Sequence, residues 1–424
     1  MSKLATVLCI STAMLLHANV LGRSDTGHQS IAAEAYRQPP RNRQEKSPWQ
    51  ADPERPFKAS QPGLSQKDGV LFKDGKPYRG VGANYFDVFL RVLHAPTNTT
   101  SLTGLRQLGA AGIPFVRFAV AYAESDWKCF FSDQQEFFRR LDMVVQTAEQ
   151  ANVGLVPSFF WDFMSFADLA DERRDQWGNP DSQTSARMRQ VVGAIIERYK
   201  QSPALWAWEF GNEPNLMADL PNATEFRKPG GTERDDLHSS DMVVMLAEFG
   251  KEVRRHDPYR PIIAGHSHPR ASAWHNTAEK SWKPDSREQM VEIIRRDNPA
   301  PLDTVAIHIY AGDAAPKELG TWAGDHADYL RIVRALAREM KRPVFIGEFG
   351  LASKDDETGT RAKFEKLLSD MEQAEVNLAA FWVFDLASQD RSWNATFDND
   401  RAYMLKLTAD ANRRWNKAAL LNKP

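Results

Sequence analysis

One short stretch predicts most of this protein's architecture: Trp206-Ala207-Trp208-Glu209-Phe210-Gly211-Asn212-Glu213-Pro214-Asn215. It begins as a β-strand, in which aromatic residues alternate with small or polar ones. We expect the strand to break at Gly211, because Pro214 prevents its continuation and biases Glu213 away from helix. The stretch therefore places a carboxylate at the end of a buried strand, where the chain turns towards solvent.

A second stretch has the same design: Pro343-Val344-Phe345-Ile346-Gly347-Glu348-Phe349-Gly350. Its glutamate also follows an apolar run and is flanked by glycine and phenylalanine. Two strand-end glutamates of this kind indicate an active site built on paired carboxylates.

Apolar strands, polar turns and amphipathic helices alternate along most of the remaining chain. We predict strands at 80–85, 115–119, 153–160, 205–209, 262–265, 304–310, 344–347 and 379–384. We predict helices at 102–111, 134–151, 184–199, 239–257, 286–298, 326–340, 360–374 and 401–417. Eight strands alternating with eight helices predict an α/β fold, a (β/α)8 TIM barrel. A doubly wound sheet is the main alternative, but no Gly-rich phosphate loop follows the first strand.

The N-terminal region predicts three successive segments. Lys3 followed by the apolar run 4–16 and small residues near 18–22 indicates a signal peptide at 1–22. Residues 23–66 lack periodic hydrophobics and predict a disordered leader or linker. The catalytic domain is predicted at 67–424, and Asp74-Gly75 between two short strands predicts a hairpin that caps the barrel. We expect a secreted or periplasmic protein.

Composition narrows the class of protein. The 424 residues are 42% hydrophobic and 26% charged, which is ordinary for a globular chain. The net charge of -2 gives no electrostatic footprint for nucleic acid. The N-terminal apolar run is too short for a membrane span, so we expect no stable membrane insertion. We also expect the protein to be a monomer. Cys9 lies in the signal segment, so cleavage would leave Cys129 without an internal disulfide partner.

In a barrel, functional side chains gather at the C-terminal ends of the strands. The predicted strand ends carry a polar or aromatic residue in each case: Asn84, Arg117, Trp161, Asn212 with Glu213, His266, His308 with Tyr310, Glu348 and Trp382. Two of these are carboxylates on strands that face each other across the mouth. Such a pair can cleave a glycosidic bond if one group stays protonated and the other ionised. Structural salt bridges are the competing explanation for each glutamate alone.

These motifs resemble clan A glycoside hydrolases, particularly family 5. Asn212-Glu213-Pro214 is similar to the acid/base motif of that family, and Gly347-Glu348-Phe349-Gly350 is similar to its nucleophile motif. The resemblance implies a retaining hydrolase in which Glu213 is the general acid/base and Glu348 is the nucleophile. It needs no metal and no cofactor, and its substrate is a polysaccharide or oligosaccharide.

The same resemblance implies roles for the supporting residues. Arg117 would keep the nucleophile ionised, and Asn212 would bind the sugar 2-hydroxyl. His308 would lie near the acid/base, and Tyr310 would donate its hydroxyl to Glu348. Trp382 would form the floor of a sugar subsite, and Asn84 and Trp161 would complete the site.

The choice of sugar depends on the end of the third strand. Trp161-Asp162 resembles the β-mannanase branch, whose strand commonly ends Asn-Asn-Trp, although Phe159 and Phe160 replace the two asparagines. We therefore predict an endo-β-1,4-mannanase. A β-glucanase of the same family, exo action on short oligosaccharides, and a barrel that binds carbohydrate without cleaving it are the alternatives.

Two further groups of residues have weaker signals. Trp127, Trp274, Trp282 and Trp322 lie in predicted loops, where they could stack on sugar rings or pack within the loops. His266 and His268 are residues of a type that binds metals, but the sequence offers no convincing third ligand near them. We interpret these two histidines as structural or substrate-contacting residues.

Overall fold

Eight parallel strands form one sheet at the centre of the protein. The structure, a computed structural model, describes residues 62–311, 325–352 and 357–421. The sheet comprises β4 (Gly80–Asn84), β5 (Phe115–Ala121), β6 (Gly154–Phe160), β7 (Trp208–Gly211), β8 (Ile262–Ile263), β9 (Val305–Tyr310), β10 (Val344–Gly350) and β11 (Leu378–Phe381). Almost every residue of these strands is buried, as expected for a parallel sheet that is covered on both faces.

The order of the strands closes the sheet into a barrel. Neighbours in the sheet run β8, β7, β6, β5, β4, β11, β10 and β9. A parallel bridge between Ile263 and Thr304 then joins the two remaining edges. The predicted (β/α)8 barrel is confirmed.

Helices alternate with the barrel strands, and the predicted ones are all present with ends shifted by a few residues. They are Thr100–Ala110, Gln134–Gln150, Gln183–Tyr199, Ser239–His256, Arg287–Asp297, His326–Glu339, Glu357–Gln373 and Ala402–Leu421. Within the described ranges, four shorter helices that were absent from the prediction occupy connecting segments: Val88–His94, Glu124–Ser132, Phe163–Phe166 and Ala273–Glu279. No helix of the described residues has the length and apolar character that a membrane crossing requires.

A small antiparallel sheet closes the N-terminal end of the barrel. It comprises β1 (Leu64–Lys67), β2 (Val70–Lys73) and β3 (Lys76–Pro77). Asp74 and Gly75 have φ values of 52° and 72°, so the predicted hairpin turn is confirmed. The predicted leader at 23–66 extends too far, because the side chain of Leu64 is already buried in the barrel core. The predicted signal peptide lies outside the described residues.

Two strand ends differ from the prediction for a structural reason. The fourth barrel strand starts at Trp208, not at residue 205, where Leu205 forms only an isolated parallel bridge to Leu155 and its carbonyl accepts a hydrogen bond from Arg260 Nε at 2.7 Å. The fifth ends at Ile263, not at residue 265, because Gly265 has a φ of 78° that a strand does not allow.

Candidate active site

The two predicted glutamates meet at the C-terminal mouth of the barrel. Glu213 lies two residues beyond the end of β7, and Glu348 lies within β10. Their exposures are 7% and 5%, so both are largely buried yet still reach solvent. One carboxylate oxygen from each, together with a ring nitrogen of His308, lies within 4.8 Å of the other two. The two carboxyl groups are therefore close enough to act on one bond.

Arg117 on β5 is the hub of the site. Its guanidinium donates to Glu209 Oε2 at 2.6 Å and to Glu348 Oε1 at 2.8 Å. Burial alone would lower the pKa of Arg117, but the two carboxylates raise it, so the group stays charged. A fully buried cation is thus held 2.8 Å from a carboxylate oxygen of Glu348.

Two asparagines also accept hydrogen bonds from this guanidinium. Arg117 donates to Asn84 Oδ1 at 3.0 Å and to Asn212 Oδ1 at 2.9 Å. The amide nitrogen of Asn84 is bonded to the Gly347 carbonyl at 2.9 Å, and its side chain is fully buried. Asn84 is therefore a support of Arg117, whereas Asn212 is only partly buried and faces the mouth.

The backbone of Glu213 is held in an unusual conformation. Its φ and ψ are 48° and 39°, in the left-handed region, which costs about 1–2 kcal/mol for a residue with a side chain. The Glu213 amide donates to the Gly265 carbonyl at 2.8 Å, which anchors it. A Cβ on Gly265 would lie 1.8 Å from the Gly211 carbonyl oxygen, so no larger residue fits there.

His308 on β9 lies between the two carboxylates. Its Nδ1 is 2.9 Å from Glu213 Oε1 and 3.7 Å from Glu348 Oε2. Burial lowers the pKa of His308 to about 3, so the ring is uncharged at neutral pH. Glu213 consequently faces a neutral ring, and Glu348 faces a permanent cation. A Cβ on Gly347 would lie 2.6 Å from His308 Nε2, so this glycine makes room for the ring.

Tyr310, two residues further along β9, donates its hydroxyl to Glu348 Oε2. Burial and the neighbouring Glu348 raise the pKa of Tyr310 well above its usual value, so the phenol keeps its proton and remains a donor. Its ring packs edge-on against Trp393, with the centroids 5.1 Å apart. Glu348 therefore receives one donor at each carboxylate oxygen, Arg117 at Oε1 and Tyr310 at Oε2.

Aromatic rings form one wall beside the carboxylates. The Trp161 ring covers the Arg117 guanidinium at 4.5 Å and lies 6.0 Å from the Trp382 ring. Phe86 packs against both tryptophans. The Trp382 indole donates to Gln389 Oε1 at 2.8 Å, which orients its ring. The predicted residues Trp161 and Trp382 thus belong to the same cluster at the mouth.

The other tryptophan predictions have mixed outcomes. Trp127 is wrong as a stacking platform, because it is 2% exposed and packs between Phe137 and Phe160 in the core. Trp274 is partly buried and bonded to Glu292 at 3.1 Å. Trp282 is 42% exposed, and Trp322 lies outside the described residues.

Two groups of residues contain side chains of the types that bind metal ions. His266 Nε2 contacts the Asp297 carbonyl at 2.7 Å, and His268 Nδ1 contacts the His308 carbonyl at 3.1 Å, so both histidines serve backbone contacts. Among the described residues, the one group with the donor types and spacing of a metal site is Glu213, His308 and Glu348. These are the two candidate catalytic glutamates and the supporting His308 between them.

Three contributors were not assigned a role at the site from the sequence. Glu209 is fully buried and is the second carboxylate on Arg117. Trp393 packs on Tyr310, and the Gly265 carbonyl anchors Glu213. Only the glycine had a local signal, since Gly265 is the last residue of the predicted fifth strand.

An eight-stranded parallel barrel with two facing carboxylates at its mouth defines a glycoside hydrolase. The chain belongs to the Cellulase family, glycosyl hydrolase family 5, whose model matches residues 78–387.

Known relatives agree with this assignment. The chain is 22% identical over 334 residues to mannan endo-1,4-beta-mannosidase 7 of Oryza sativa subsp. japonica, covering 70% of this chain and 79% of the rice protein. It is 33% identical to a probable mannan endo-1,4-beta-mannosidase A-1 of Aspergillus terreus over 92 residues, which are 20% of this chain and 23% of that protein's length. Its fold matches the endo-1,4-beta-mannanase of Rhizomucor miehei with a TM-score of 0.59, at 14% identity over 83% of this chain and 99% of that one.

Proposed function

We propose that the protein is a retaining endo-β-1,4-mannanase. The observation that carries the mechanism is the spacing of the carboxylates, whose nearest ligand atoms lie within 4.8 Å. Retaining glycosidases hold their carboxyl groups about 5–5.5 Å apart, whereas inverting ones need about 6.5–9.5 Å to admit a water molecule. The proximity of one oxygen from each carboxylate supports direct attack over activation of an intervening water.

In this proposal Glu348 is the nucleophile. Its carboxylate attacks the anomeric carbon, the bond from that carbon to the glycosidic oxygen breaks, and a covalent glycosyl-enzyme forms. Arg117 and Tyr310 support the role, because a cation and a protonated phenol both favour the ionised carboxylate.

Glu213 is the proposed general acid/base. It donates a proton to the leaving oxygen and later takes one from the water that releases the sugar. The neutral ring of His308 beside it lets Glu213 hold a proton while Glu348 is charged. Because Arg117 bonds the amide oxygen of Asn212, the Asn212 amide nitrogen is the group turned towards the mouth to donate to a sugar hydroxyl.

Mannan as substrate is supported by two observations. The curated relatives and the solved structure quoted above are named as mannan-cleaving enzymes, and Trp161-Asp162 directly follows the third strand, as expected for that branch. The buried rings of Phe159 and Phe160 replace the branch's two asparagines. A β-glucan therefore belongs in any test of the substrate.

A reducing-end assay on mannan, carboxymethyl cellulose and laminarin tests the substrate, and NMR of the first product tests the stereochemistry. We expect cleavage of mannan and a β-configured product. Glu348→Gln should abolish turnover, and Glu213→Gln should lower it by about 10²–10⁴-fold. Asp257→Asn is the matched control, because Asp257 is a buried carboxylate paired with Arg260 at the opposite end of the barrel. An α-configured first product, or turnover by Glu348→Gln near the wild-type rate, would refute the proposal.

We also propose that the protein acts outside the cytoplasm, supported by the signal-like segment at 1–22. N-terminal sequencing of the protein from culture supernatant or periplasm would locate the cleavage site. Recovery of an uncleaved chain from the cytoplasm alone would contradict this.

A further inference from the structure

The loop that follows β8 is bound tightly to the loop that carries Glu213. The Gly265 carbonyl accepts from the Glu213 amide at 2.8 Å. Two residues further on, Ser267 and Asn215 exchange two hydrogen bonds, from Asn215 Nδ2 to the Ser267 carbonyl at 2.9 Å and from the Ser267 amide to Asn215 Oδ1 at 3.0 Å. The two loops therefore stay paired beyond the ends of their strands.

Arg270 completes this pairing. Its Nη1 donates to the carbonyls of Asn215 at 2.9 Å and Leu216 at 2.7 Å, and its Nη2 donates to the Ala218 carbonyl. Asn276 receives the remaining Nε donor at 2.9 Å. Three carbonyls of the segment directly after Glu213 thus converge on one guanidinium.

These contacts bear on the left-handed backbone of Glu213. A residue with a side chain leaves this conformation unless its surroundings determine it. The Gly265 carbonyl holds the backbone amide of Glu213, and Arg270 holds the turn that follows Glu213. Rotation of that turn would swing the Glu213 carboxyl away from His308.

We propose that Arg270 is a positioning residue for the general acid/base. It does not touch the substrate; it holds the turn at Pro214–Leu216 so that the Glu213 carboxyl stays aimed at the glycosidic oxygen. The inference rests on the proposed function of Glu213.

The test compares two substrates in Arg270→Met. Mannan has a poor leaving group and needs the acid, whereas a 2,4-dinitrophenyl β-mannobioside releases a phenolate that needs no proton. We expect kcat/KM on mannan to fall about 10–100-fold, as for a misplaced catalytic group, and kcat/KM on the dinitrophenyl substrate to stay within about two-fold. A purely structural defect would lower both values alike.

Azide supplies an independent readout. It has no proton to lose, so it attacks the anomeric carbon of the glycosyl-enzyme without a base. A bond from the anomeric carbon to nitrogen forms, the bond from that carbon to the Glu348 carboxylate oxygen breaks, and a β-mannobiosyl azide is released. Azide should therefore raise kcat of Arg270→Met on the dinitrophenyl substrate, as it should for Glu213→Gln.

Three controls make the result decisive. Arg260→Met removes a buried arginine that also binds carbonyls, but at the far end of the barrel, and should leave the ratio of the two substrates unchanged. Arg270→Lys should recover part of the mannan activity. Should Arg270→Met fail to fold, Asn215→Ala removes the pairing with Ser267 and should show the same signature at smaller size.

The outcomes separate the two proposals. Equal loss on both substrates, or no azide effect in Arg270→Met while Glu213→Gln responds, would overturn the positioning role alone. If Glu213→Gln itself shows no selective loss and no azide response, the acid/base assignment fails first.

Discussion

Each end of the barrel contains a fully buried arginine, and the surroundings of the two differ. Arg260 at the N-terminal end donates to the carbonyls of Leu205 and Ser202 and pairs with one carboxylate, Asp257, at 2.6 Å. Arg117 at the C-terminal end lies between two carboxylates, Glu209 and Glu348. Arg260 bonds groups of the core, whereas one of the two partners of Arg117, Glu348, lies at the mouth and is 5% exposed.

The apolar packing of the two ends differs in the same way. The N-terminal cluster includes Leu64, Phe115, Trp206 and Phe345, and the small sheet covers it. The mouth cluster is aromatic, and its rings lie beside polar groups: Trp161 covers the Arg117 guanidinium, and Tyr310 bonds Glu348. One end is closed for stability, and the other remains open for chemistry.

The arginines provide the strongest way to break this comparison. Lysine cannot reproduce the planar fork of donors that either arginine uses. We expect Arg117→Lys to lower kcat/KM by about 10²–10³-fold, the scale of losing one preorganised electrostatic contact. Arg260→Lys should instead lower the free energy of unfolding by about 1–3 kcal/mol, with kcat/KM close to wild type. Kinetics on the cleaved polysaccharide and urea unfolding of both variants measure this. Equal losses of kcat/KM in the two variants would contradict the assignment of catalysis to the C-terminal end and of stability to the N-terminal end.

The tryptophans sharpen the comparison with a smaller effect. Trp206 is 3% exposed in the N-terminal cluster, and Trp382 is 6% exposed at the mouth. Trp206→Ala should cost about 3–5 kcal/mol of unfolding free energy, as for other buried aromatics. Trp382→Ala should lower kcat/KM about ten-fold, which corresponds to ~1.4 kcal/mol of lost binding to the transition state. Thermal unfolding and kcat/KM of both variants measure this. A larger loss of kcat/KM in Trp206→Ala than in Trp382→Ala would contradict the different roles of the two ends.

The loss of folding stability at acid pH is the smallest expected difference between groups at the two ends of the barrel. Folded His308 binds a proton only near pH 3, whereas an unfolded histidine does so near pH 6.5. As pH falls between those values the unfolded state gains a proton that the folded state does not, so stability is lost, by up to about 1.4 kcal/mol per pH unit. Asp257 differs, because burial raises its pKa but Arg260 and Trp208 lower it more. Its contribution is lost only below the usual aspartate range.

Unfolding in urea at pH 7 and pH 5 tests this difference. His308→Gln should lose less stability than wild type between the two pH values, and Asp257→Asn should lose as much as wild type. An unchanged slope in His308→Gln would show that the ring is not the group responsible.

Local patterns in the sequence were sufficient for the barrel and for the two glutamates. Strand, turn and helix periods are properties of neighbouring residues, and so is the break that places Glu213 beyond its strand. Because parallel strands share a direction, the residues that end them had to meet at one face, which is why Arg117, His308, Tyr310 and Trp382 could be predicted together.

Only the tertiary structure decided how those residues act on one another. Burial sets the charge of His308, and the hub at Arg117 depends on which carboxylates face it across the barrel. Trp127 lies in the core, because its helix packs it against Phe137 and Phe160. Arg270 contacts the turn after Glu213 from a neighbouring loop. Burial and contacts of this kind depend on distances between segments far apart in the chain. A local pattern can state which side chains stand at the mouth, but the packing of the whole barrel determines which of them carries a proton and which holds another in place.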